Sequence, residues 1–397
     1  MNAHALLLKK LHQAKCKKNR NATLSQKRLR KVAYKEEAEK QYESEVLQEQ
    51  PSIVKELTSI GSIKDEILEN IVGQDEPVQR ILTAVYRALN FETIKTNMLI
   101  IGRSGTGKTE TIKQIAQRLD LPYTIEDATR YTQEGYYGKS VDDIITSLIS
   151  AADGNFDKAE RGIIVIDEID KKVGGTQNDI SGINVLHSML KLIEDATYNI
   201  MLPAQSMDDL ACPQFRQFST KNIIVIFSGA FSGINEIVEK RLNEHTVGFV
   251  PEADCSAKSE EGRKITKSDL IEYGMPDEFA GRIDTIVQMN QLREEDLVQI
   301  LMQSKLSIFK KYQSELENHG VQLIYKRELF DKIAQASLKF DTGARELSNI
   351  VNYIFEKIVY EVLMKPDLYK YCKLDDDIVE DNTRFTLYEV YKNKRTF

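Results

Sequence analysis

The amino-acid sequence predicts an α/β fold, with a five-stranded parallel sheet flanked by helices and a smaller, mainly helical domain after it. From about residue 60 to residue 288, short apolar runs alternate with helix-like patterns, which is typical of a parallel sheet covered by helices. After Leu292 the pattern becomes mainly helical, because apolar residues such as Leu297, Ile300 and Leu301 recur at helical spacing.

Each predicted strand is a short apolar run. The five runs lie at residues 98–101, 123–125, 163–166, 223–227 and 285–288. Between the first two runs, apolar residues follow the i, i+3, i+4, i+7 spacing of a helix with one buried face: Ile112, Ile115, Ala116 and Leu119. The sequence therefore predicts a strand, a loop and a helix in succession over residues 98–119.

The chain of 397 residues exceeds what one hydrophobic core usually organises, and its length favours two domains and a tail. We expect a basic N-terminal arm at residues 1–50, helical or flexible, with Pro51 marking the start of compact structure. A large domain at residues 51–290 then holds the predicted sheet, and a small helical domain occupies residues 291–397.

Composition excludes several classes of protein. The chain is 41% hydrophobic and 29% charged, which argues against a disordered or collagen-like protein. No apolar run is long enough to span a bilayer, and the run at residues 5–8 is too short for a secretory signal. The cysteines lack the C-x-x-C spacing of a zinc site: Cys16, Cys212, Cys255 and Cys372. We therefore expect a protein of the reducing cytoplasm.

Positive charge is concentrated in the N-terminal arm. Residues 1–35 contain eleven Lys or Arg and no acid, although the formal net charge of the whole chain is −7. Such a segment can contact nucleic acid, an acidic protein or an anionic membrane, or it can be a solvated tail without a dedicated ligand. Charge alone leaves these alternatives open.

A phosphate-binding motif joins the first predicted strand to the helix after it. Residues 102–109 read G-x-x-x-x-G-K-T, the P-loop of nucleotide hydrolases. Its glycines let backbone N–H groups face phosphates, Lys108 neutralises phosphate oxygens, and the Thr109 hydroxyl is a Mg²⁺ ligand. The residues predicted to bind nucleotide in this loop are Gly102, Ser104, Gly105, Thr106, Gly107, Lys108 and Thr109.

Two adjacent acids follow the third predicted strand. At the carboxyl edge of a parallel sheet, Asp167 can hold Mg²⁺ and Glu168 can accept a proton from the water that attacks the γ-phosphate. In isolation, two such acids would be ordinary solvated residues at the start of a helix. Together with the P-loop they predict a hydrolytic site.

These motifs resemble those of the AAA+ family of ATPases, and within it the ClpX protein-unfolding ATPases. The likeness extends from about residue 70 to residue 345 and includes segments 121–123, 127–129 and 190–194. In it, Ile71 and Val72 resemble residues that lie against adenine. The resemblance implies an AAA+ P-loop fold, with ATP and Mg²⁺ as cofactors.

The resemblance also assigns roles to polar residues outside the two motifs. Arg282 matches the arginine finger that reaches the γ-phosphate bound by a neighbouring subunit. Arg345 matches the sensor arginine of the small domain, which contacts the nucleotide of its own subunit. Both are counted as catalytic with Glu168, because a guanidinium stays charged and bridges phosphate oxygens. Ser228 aligns with the sensor position on the fourth strand.

Three further segments resemble functional loops of ClpX, of which two handle protein substrates and one docks on a peptidase. Tyr136 and Tyr137, flanked by glycines, resemble the aromatic loop that lines the pore of ClpX hexamers, where aromatic rings grip an unfolded chain. Residues 178–182 resemble a second pore loop. Val247, Gly248 and Phe249 stand where ClpX carries the Ile-Gly-Phe loop that docks on the ClpP peptidase.

The chain also departs from the ClpX pattern. The basic arm stands where ClpX has a zinc-binding domain, and Asp208 and Asp209 lie where ClpX has a basic loop at the pore entrance. An acidic rim repels a C-terminal carboxylate, so recognition of C-terminal degradation tags is not expected.

Together, the motifs and the resemblance predict an ATP-dependent unfoldase. We expect a homo-oligomeric ring, a hexamer in this family, that threads protein substrates through its pore into a ClpP-like peptidase. One alternative is a remodeller that works without a peptidase. Another is a nucleic-acid motor that uses the basic arm, although the tyrosine loop and the acidic body argue against it. No membrane span is predicted.

Overall fold

The computed structural model describes residues 60–91, 95–131, 141–173, 180–201, 215–244, 263–340 and 343–389. The predictions for the N-terminal arm, the tyrosine loop and the peptidase-docking loop therefore lie outside the described residues.

The centre of the structure is a parallel sheet of five strands in the order β2-β3-β6-β1-β7. Its strands are β1 Asn97–Ile101, β2 Tyr123–Asp127, β3 Ile163–Asp167, β6 Ile224–Gly229 and β7 Thr285–Gln288. β1, β3 and β6 are buried along almost their whole length, as expected of continuous apolar runs in a sheet covered on both faces. The structure confirms the predicted sheet.

Helices lie on both faces of the sheet. They are α1 Ile60–Leu68, α2 Asp75–Asn90, α3 Lys108–Arg118, α4 Val141–Ala151, α5 Phe156–Ala159, α6 Ile180–Ile193, α7 Ile234–Glu244, α8 Lys267–Tyr273 and α9 Asp277–Gly281. Alternate strand residues enter two separate cores: Met98 and Ile100 lie in one with α1, α2 and α3, whereas Leu99 and Ile101 lie in the other with α4 and α6. The sheet is thereby fixed from both sides.

A third core follows Leu292 and is mainly helical, as predicted. Its helices are α10 Glu294–Met302, α11 Ile308–Asn318, α12 Glu328–Leu338 and α13 Ala344–Met364. At its centre, the ring of Phe309 makes edge contacts with Tyr325, Phe330 and Phe355 at centroid distances of 4.9–5.3 Å. A small sheet of β8 Gln322–Ile324, β9 Tyr369–Leu374 and β10 Phe385–Glu389 packs against these helices and was not predicted.

Two local features differ from the sequence prediction. An antiparallel pair, β4 Thr197–Met201 with β5 Phe215–Ser219, forms a separate two-stranded sheet, and its Ile200 and Phe218 are buried in the core that contains Leu99. Residues 180–182 of the predicted second pore loop at 178–182 lie in helix α6, which begins at Ile180, and its first two residues lie outside the described residues. Of the residues that the structure describes, no helix is long and apolar enough to cross a membrane.

Candidate nucleotide-binding site

The carboxyl ends of β1, β3 and β6 border a cavity of about 600 Å³. Its wall combines the P-loop, the acids after β3 and side chains of the small domain, including Leu301, Ile308 and Leu347. Most of the residues predicted to contact nucleotide line it: Ile71, Val72, Ser104, Gly105, Thr106, Gly107, Lys108, Thr109, Asp167, Glu168 and Arg345. The fold thus gathers residues from positions 71 to 345 around one cavity.

The P-loop backbone depends on its glycines. Gly105 and Gly107 have φ values of +75° and +91°, a region that residues with a Cβ rarely adopt. Gly102 is needed for a different reason: a Cβ there would lie 2.7 Å from the Cβ of Met289. Gly102 does not line the cavity itself, and its role is to let β1 and the end of β7 approach closely.

Lys108 is held inside the loop. Its Nζ donates hydrogen bonds to the carbonyl oxygens of Gly102, at 2.5 Å, and Arg103, at 3.0 Å. Burial lowers the pKa of Lys108 below its usual 10.5, and Arg345 lowers it further, while the nearby carboxylate of Asp167 acts in the opposite direction. A buried ammonium at the wall of the cavity is well suited to receive an anionic phosphate.

Asp167 is the centre of a small polar cluster. Its Oδ2 accepts a hydrogen bond from the Thr109 hydroxyl at 3.1 Å, and its Oδ1 accepts from the Ser228 hydroxyl and from the backbone N–H of Glu168. Thr109 and Asp167 together present hard oxygen donors of the kind that Mg²⁺ prefers, and Mg²⁺ usually takes its remaining ligands from water and phosphates. The donor set fits the predicted metal.

Glu168 lies at the cavity wall with an exposed side chain and a left-handed backbone, φ +56°. Strain of this kind in a residue with a Cβ is typical of functional sites. The turn after it is anchored by buried Asp170, whose carboxylate accepts a hydrogen bond from the N–H of Ala230 at 3.2 Å. Sequence reasoning did not identify Asp170, although it stands three residues after Asp167.

The small domain reaches the P-loop through the first residues of α13. The N–H of Ala344 donates to the carbonyl oxygen of Gly105 at 3.3 Å. Gly343, with φ +56°, passes so close that a Cβ would lie 2.9 Å from the carbonyl oxygen of Ser104. This contact brings Arg345 to the cavity.

The segment predicted to meet adenine is fixed by a pair of hydrogen bonds. Ile71 and Val72 are buried, and the completely buried amide of Gln74 pairs with the backbone of Asn290 in both directions, at 2.9 and 2.8 Å. The side chain of Asn290 in turn donates to the Gly73 carbonyl at 2.9 Å. These bonds tie the adenine segment to the end of the central sheet.

Comparison with known proteins agrees with this geometry. Residues 94–286 match the family described as AAA domain (Cdc48 subfamily), and residues 292–374 match the C-terminal, D2-small domain, of ClpB protein. A protein of Borrelia duttonii named ATP-dependent Clp protease ATP-binding subunit ClpX is 32% identical over 340 residues, which cover 81% of this chain and 78% of the relative.

Two proteins of the same name give similar values. The one from Bacteroides fragilis is 34% identical and the one from Bacteroides thetaiotaomicron 33%, each over 326 residues that cover 78% of both chains. The chain belongs to the ClpX family of AAA+ ATPases. The predicted resemblance is confirmed, while the roles of individual residues in this ClpX-family chain remain predictions.

Arg282 is the predicted catalytic residue that does not line the cavity. It lies three residues before the start of β7, at the edge of the sheet where the parallel strands begin, whereas the P-loop follows the end of β1. The strand between them spans about 16 Å. Its guanidinium forms an ion pair with Glu194, at 2.6 Å, and remains 42% exposed. In this ClpX-family chain the arginine predicted to be the finger therefore lies at the edge of the sheet opposite its own subunit's P-loop.

Proposed function

We propose that this chain is an ATP-driven protein unfoldase that works as a homo-oligomeric ring, a hexamer by analogy with the family, in the cytoplasm. The observation that carries the proposal is the single cavity in which the P-loop lysine, the Thr109–Asp167–Ser228 cluster and Glu168 meet Arg345 of the small domain. Membership of the ClpX family supports the same function.

The residues of the cavity fit ATP with Mg²⁺. Lys108 and the P-loop backbone would hold the phosphates, Thr109 and Asp167 would hold the metal, and Ile71 and Val72 would contact the base. Mg²⁺, when bound, neutralises charge on the phosphate oxygens.

In this proposal, Glu168 would accept a proton from the attacking water. The neighbouring carboxylate of Asp167 already accepts three hydrogen bonds, so it is occupied as a positioning and metal-binding group. The Glu168 side chain is exposed to the cavity and free to act as general base. Because their surroundings differ, Asp167 would bind the metal and Glu168 would act as the general base.

Contact between the small domain and the P-loop offers a route from chemistry to movement. Because α13 begins with a hydrogen bond to Gly105 and carries Arg345 into the cavity, phosphate occupancy would bias the position of the whole small domain. We propose that this movement drives the tyrosine loop, Tyr136 and Tyr137, against a threaded substrate.

Delivery of the substrate to a ClpP-like peptidase is part of the proposal. The relatives carry the name Clp protease ATP-binding subunit, and Val247, Gly248 and Phe249 stand at the position of the docking loop in that family. A conservative Val in place of Ile at the first position retains most of the apolar surface.

The experiment that tests the proposal follows a folded fluorescent client protein with ATP, in the presence and absence of a ClpP peptidase. The wild type is expected to abolish the fluorescence. Glu168→Gln should bind ATP but hydrolyse it at least about 100-fold more slowly. Tyr136→Ala should retain ATPase activity and lose unfolding, and Phe249→Ala should unfold the client without its degradation. Equal unfolding by Tyr136→Ala and wild type would remove the pore assignment.

A further inference from the structure

A group of polar residues lies at the edge of the sheet opposite the nucleotide cavity. Lys95, Asn97, Glu194 and Arg282, here called the edge cluster, join the start of β1, the end of α6 and the segment before β7. None of the four lines the cavity.

Asn97 is the centre of the edge cluster. It is 5% exposed, and its Nδ2 donates to the carbonyl oxygens of Ile193, at 3.3 Å, and Arg282, at 3.2 Å. Its Oδ1 accepts no hydrogen bond in the described residues. The amide orientation is therefore set by its donor end, because the flipped amide would put an oxygen against two carbonyl oxygens.

The backbone of Asn97 also forms hydrogen bonds with the segment that carries Arg282. Its N–H donates to the carboxylate of Asp284 at 2.9 Å, and its carbonyl accepts from the N–H of Asp284 at 2.9 Å. The residues on either side of Ile283 are thus both bonded to one asparagine. Ile283 itself is completely buried, so the chain that carries Arg282 has little freedom to move.

Lys95 fixes the end of α6 that faces the same residue. Its Nζ donates to the carbonyl oxygens of Glu194, at 2.5 Å, and Thr220, at 2.9 Å, and pairs with Asp195 at 3.5 Å. The Thr220 hydroxyl, also buried, donates to the Glu194 carbonyl at 2.8 Å. A cation at the carboxyl end of a helix satisfies its last carbonyl groups.

Glu194 completes the arrangement, because its backbone is held by Lys95 while its carboxylate holds the Arg282 guanidinium at 2.6 Å. Both ends of Arg282 are therefore restrained: the backbone by Asn97 and the side chain by Glu194. Yet the guanidinium is 42% exposed and the Glu194 side chain 41% exposed. The guanidinium, which also lies 3.9 Å from the Glu278 carboxylate, is therefore held on a fixed backbone at an exposed position where a second molecule can reach it.

We propose that Asn97, supported by Lys95, is a positioning residue for Arg282, which it aims at the nucleotide of the neighbouring subunit. This inference rests on the proposed function as a ring and on the predicted role of Arg282 as its arginine finger. Asn97 also fastens Arg282 to α6, whose Gly182 lies so close to the turn after Glu168 that a Cβ would meet the Lys172 carbonyl at 2.8 Å. Helix α6 therefore connects the turn after Glu168 with the segment that carries Arg282.

The test uses Asn97→Asp, which keeps the shape of the side chain and replaces its donor by an oxygen. We expect the kcat of ATP hydrolysis to fall about 10- to 100-fold, since small displacements of a catalytic group have effects of this size, with little change in KM. Lys95→Met, which keeps the apolar stem, should lower kcat less. Asn382→Ala is the matched control, because Asn382 is a buried asparagine that donates to the Tyr353 carbonyl far from the edge cluster.

Subunit mixing separates a displaced finger from general damage. Asn97→Asp subunits have an intact site and a misplaced arginine, whereas Glu168→Gln subunits have an inactive site and an intact arginine. In mixed rings, an Asn97→Asp subunit receives a correctly positioned Arg282 from a neighbouring Glu168→Gln subunit. The ATPase activity per intact site should therefore rise several-fold above that of Asn97→Asp alone. Arg282→Ala mixed with Glu168→Gln should behave in the same way.

The outcomes are distinct. If Arg282→Ala mixtures gain activity and Asn97→Asp mixtures do not, Asn97 does not act through the finger, and the inference is wrong while the proposed ring stands. If neither mixture gains activity, Arg282 does not act between subunits, and the inference fails together with the finger assignment, whereas the unfoldase proposal is decided separately by the unfolding of the fluorescent client. A loss of kcat in Asn382→Ala equal to that in Asn97→Asp would also contradict the inference.

Discussion

Gly343 is the residue at which the small domain meets the P-loop most closely. Its φ of +56° and ψ of −137° belong to a region that residues with a Cβ rarely adopt. A Cβ there would lie 2.9 Å from the carbonyl oxygen of Ser104 and 3.3 Å from the carbonyl of Gly105. Because both neighbours are backbone atoms, Gly343→Ala cannot be accommodated by rotation of a side chain.

The size of the effect follows from two contributions. Backbone strain at such a conformation costs about 1–3 kcal/mol. Relief of the close contact would move Ala344 away from Gly105, and loss of their hydrogen bond, 3.3 Å long, costs about another 1 kcal/mol. We therefore expect the free energy of unfolding to fall by about 2–4 kcal/mol. A displaced Arg345 should raise the KM for ATP about tenfold, equivalent to about 1.4 kcal/mol of binding.

Gly320→Ala is the matched control. Gly320 also has a positive φ, +76°, and lies in the small domain, but nothing lies within 4 Å of an added Cβ. Its substitution should cost about 1–2 kcal/mol of stability from strain alone and leave the KM for ATP unchanged. Denaturant unfolding and steady-state ATPase assays measure both quantities. The same KM for Gly343→Ala as for Gly320→Ala would refute the idea that this contact transmits nucleotide occupancy to the small domain.

Three further outcomes are expected. Ser228→Ala removes one hydrogen bond from Asp167 and should lower kcat about tenfold with nearly unchanged thermal stability; an unchanged kcat would exclude the sensor role. Burial lowers the pKa of Lys108 below its usual 10.5, so nucleotide affinity should fall as the pH rises through that lowered pKa. Binding should then take up a proton, which calorimetry in two buffers would measure. An affinity that does not change with pH up to 10.5 would contradict this. Burial raises the pKa of Cys372 to about 12, so iodoacetamide should modify it only after unfolding, as peptide mass mapping would show.

The strands could be predicted because a buried parallel strand needs apolar residues on both faces. Errors lie at the strand ends, where polar groups enter the sheet. β2 extends two residues past the apolar run, through Glu126 and Asp127, and β6 continues through Ser228 and Gly229. The last residues of both strands stand at the carboxyl edge, where polar groups are needed for binding, and an apolar pattern does not mark them.

The small sheet of the C-terminal domain could not be predicted for a different reason. In β9 the exposed residues Lys370 and Lys373 alternate irregularly with buried Tyr369, Cys372 and Leu374, and the partner strand β8 has only three residues. Neither strand shows a clear period of two. Its existence depends on packing against α11, α12 and α13, which local sequence does not encode.

Within the candidate site, motifs with fixed spacing were predicted and contacts between distant segments were not. The P-loop and the two acids after β3 could be read because their residues are adjacent in sequence. The pairing of Gln74 with Asn290 and that of Asn97 with Arg282 each join positions about 200 apart. An amide that bonds to a backbone carbonyl leaves no residue-type pattern at its partner, so such pairs emerge only from the fold.

The parallel sheet explains why the P-loop and Arg282 lie at opposite edges. β1 ends at the P-loop and begins at Asn97, so one strand fixes both the phosphate-binding loop and the segment of Arg282. Since the strand is rigid and buried, these two groups are held about 16 Å apart and on opposite edges. A single subunit cannot bring its arginine to its own phosphates without breaking the centre of the sheet. If Arg282 acts in hydrolysis as proposed, a second copy must present its cavity to that edge, which agrees with the proposed homo-oligomeric ring.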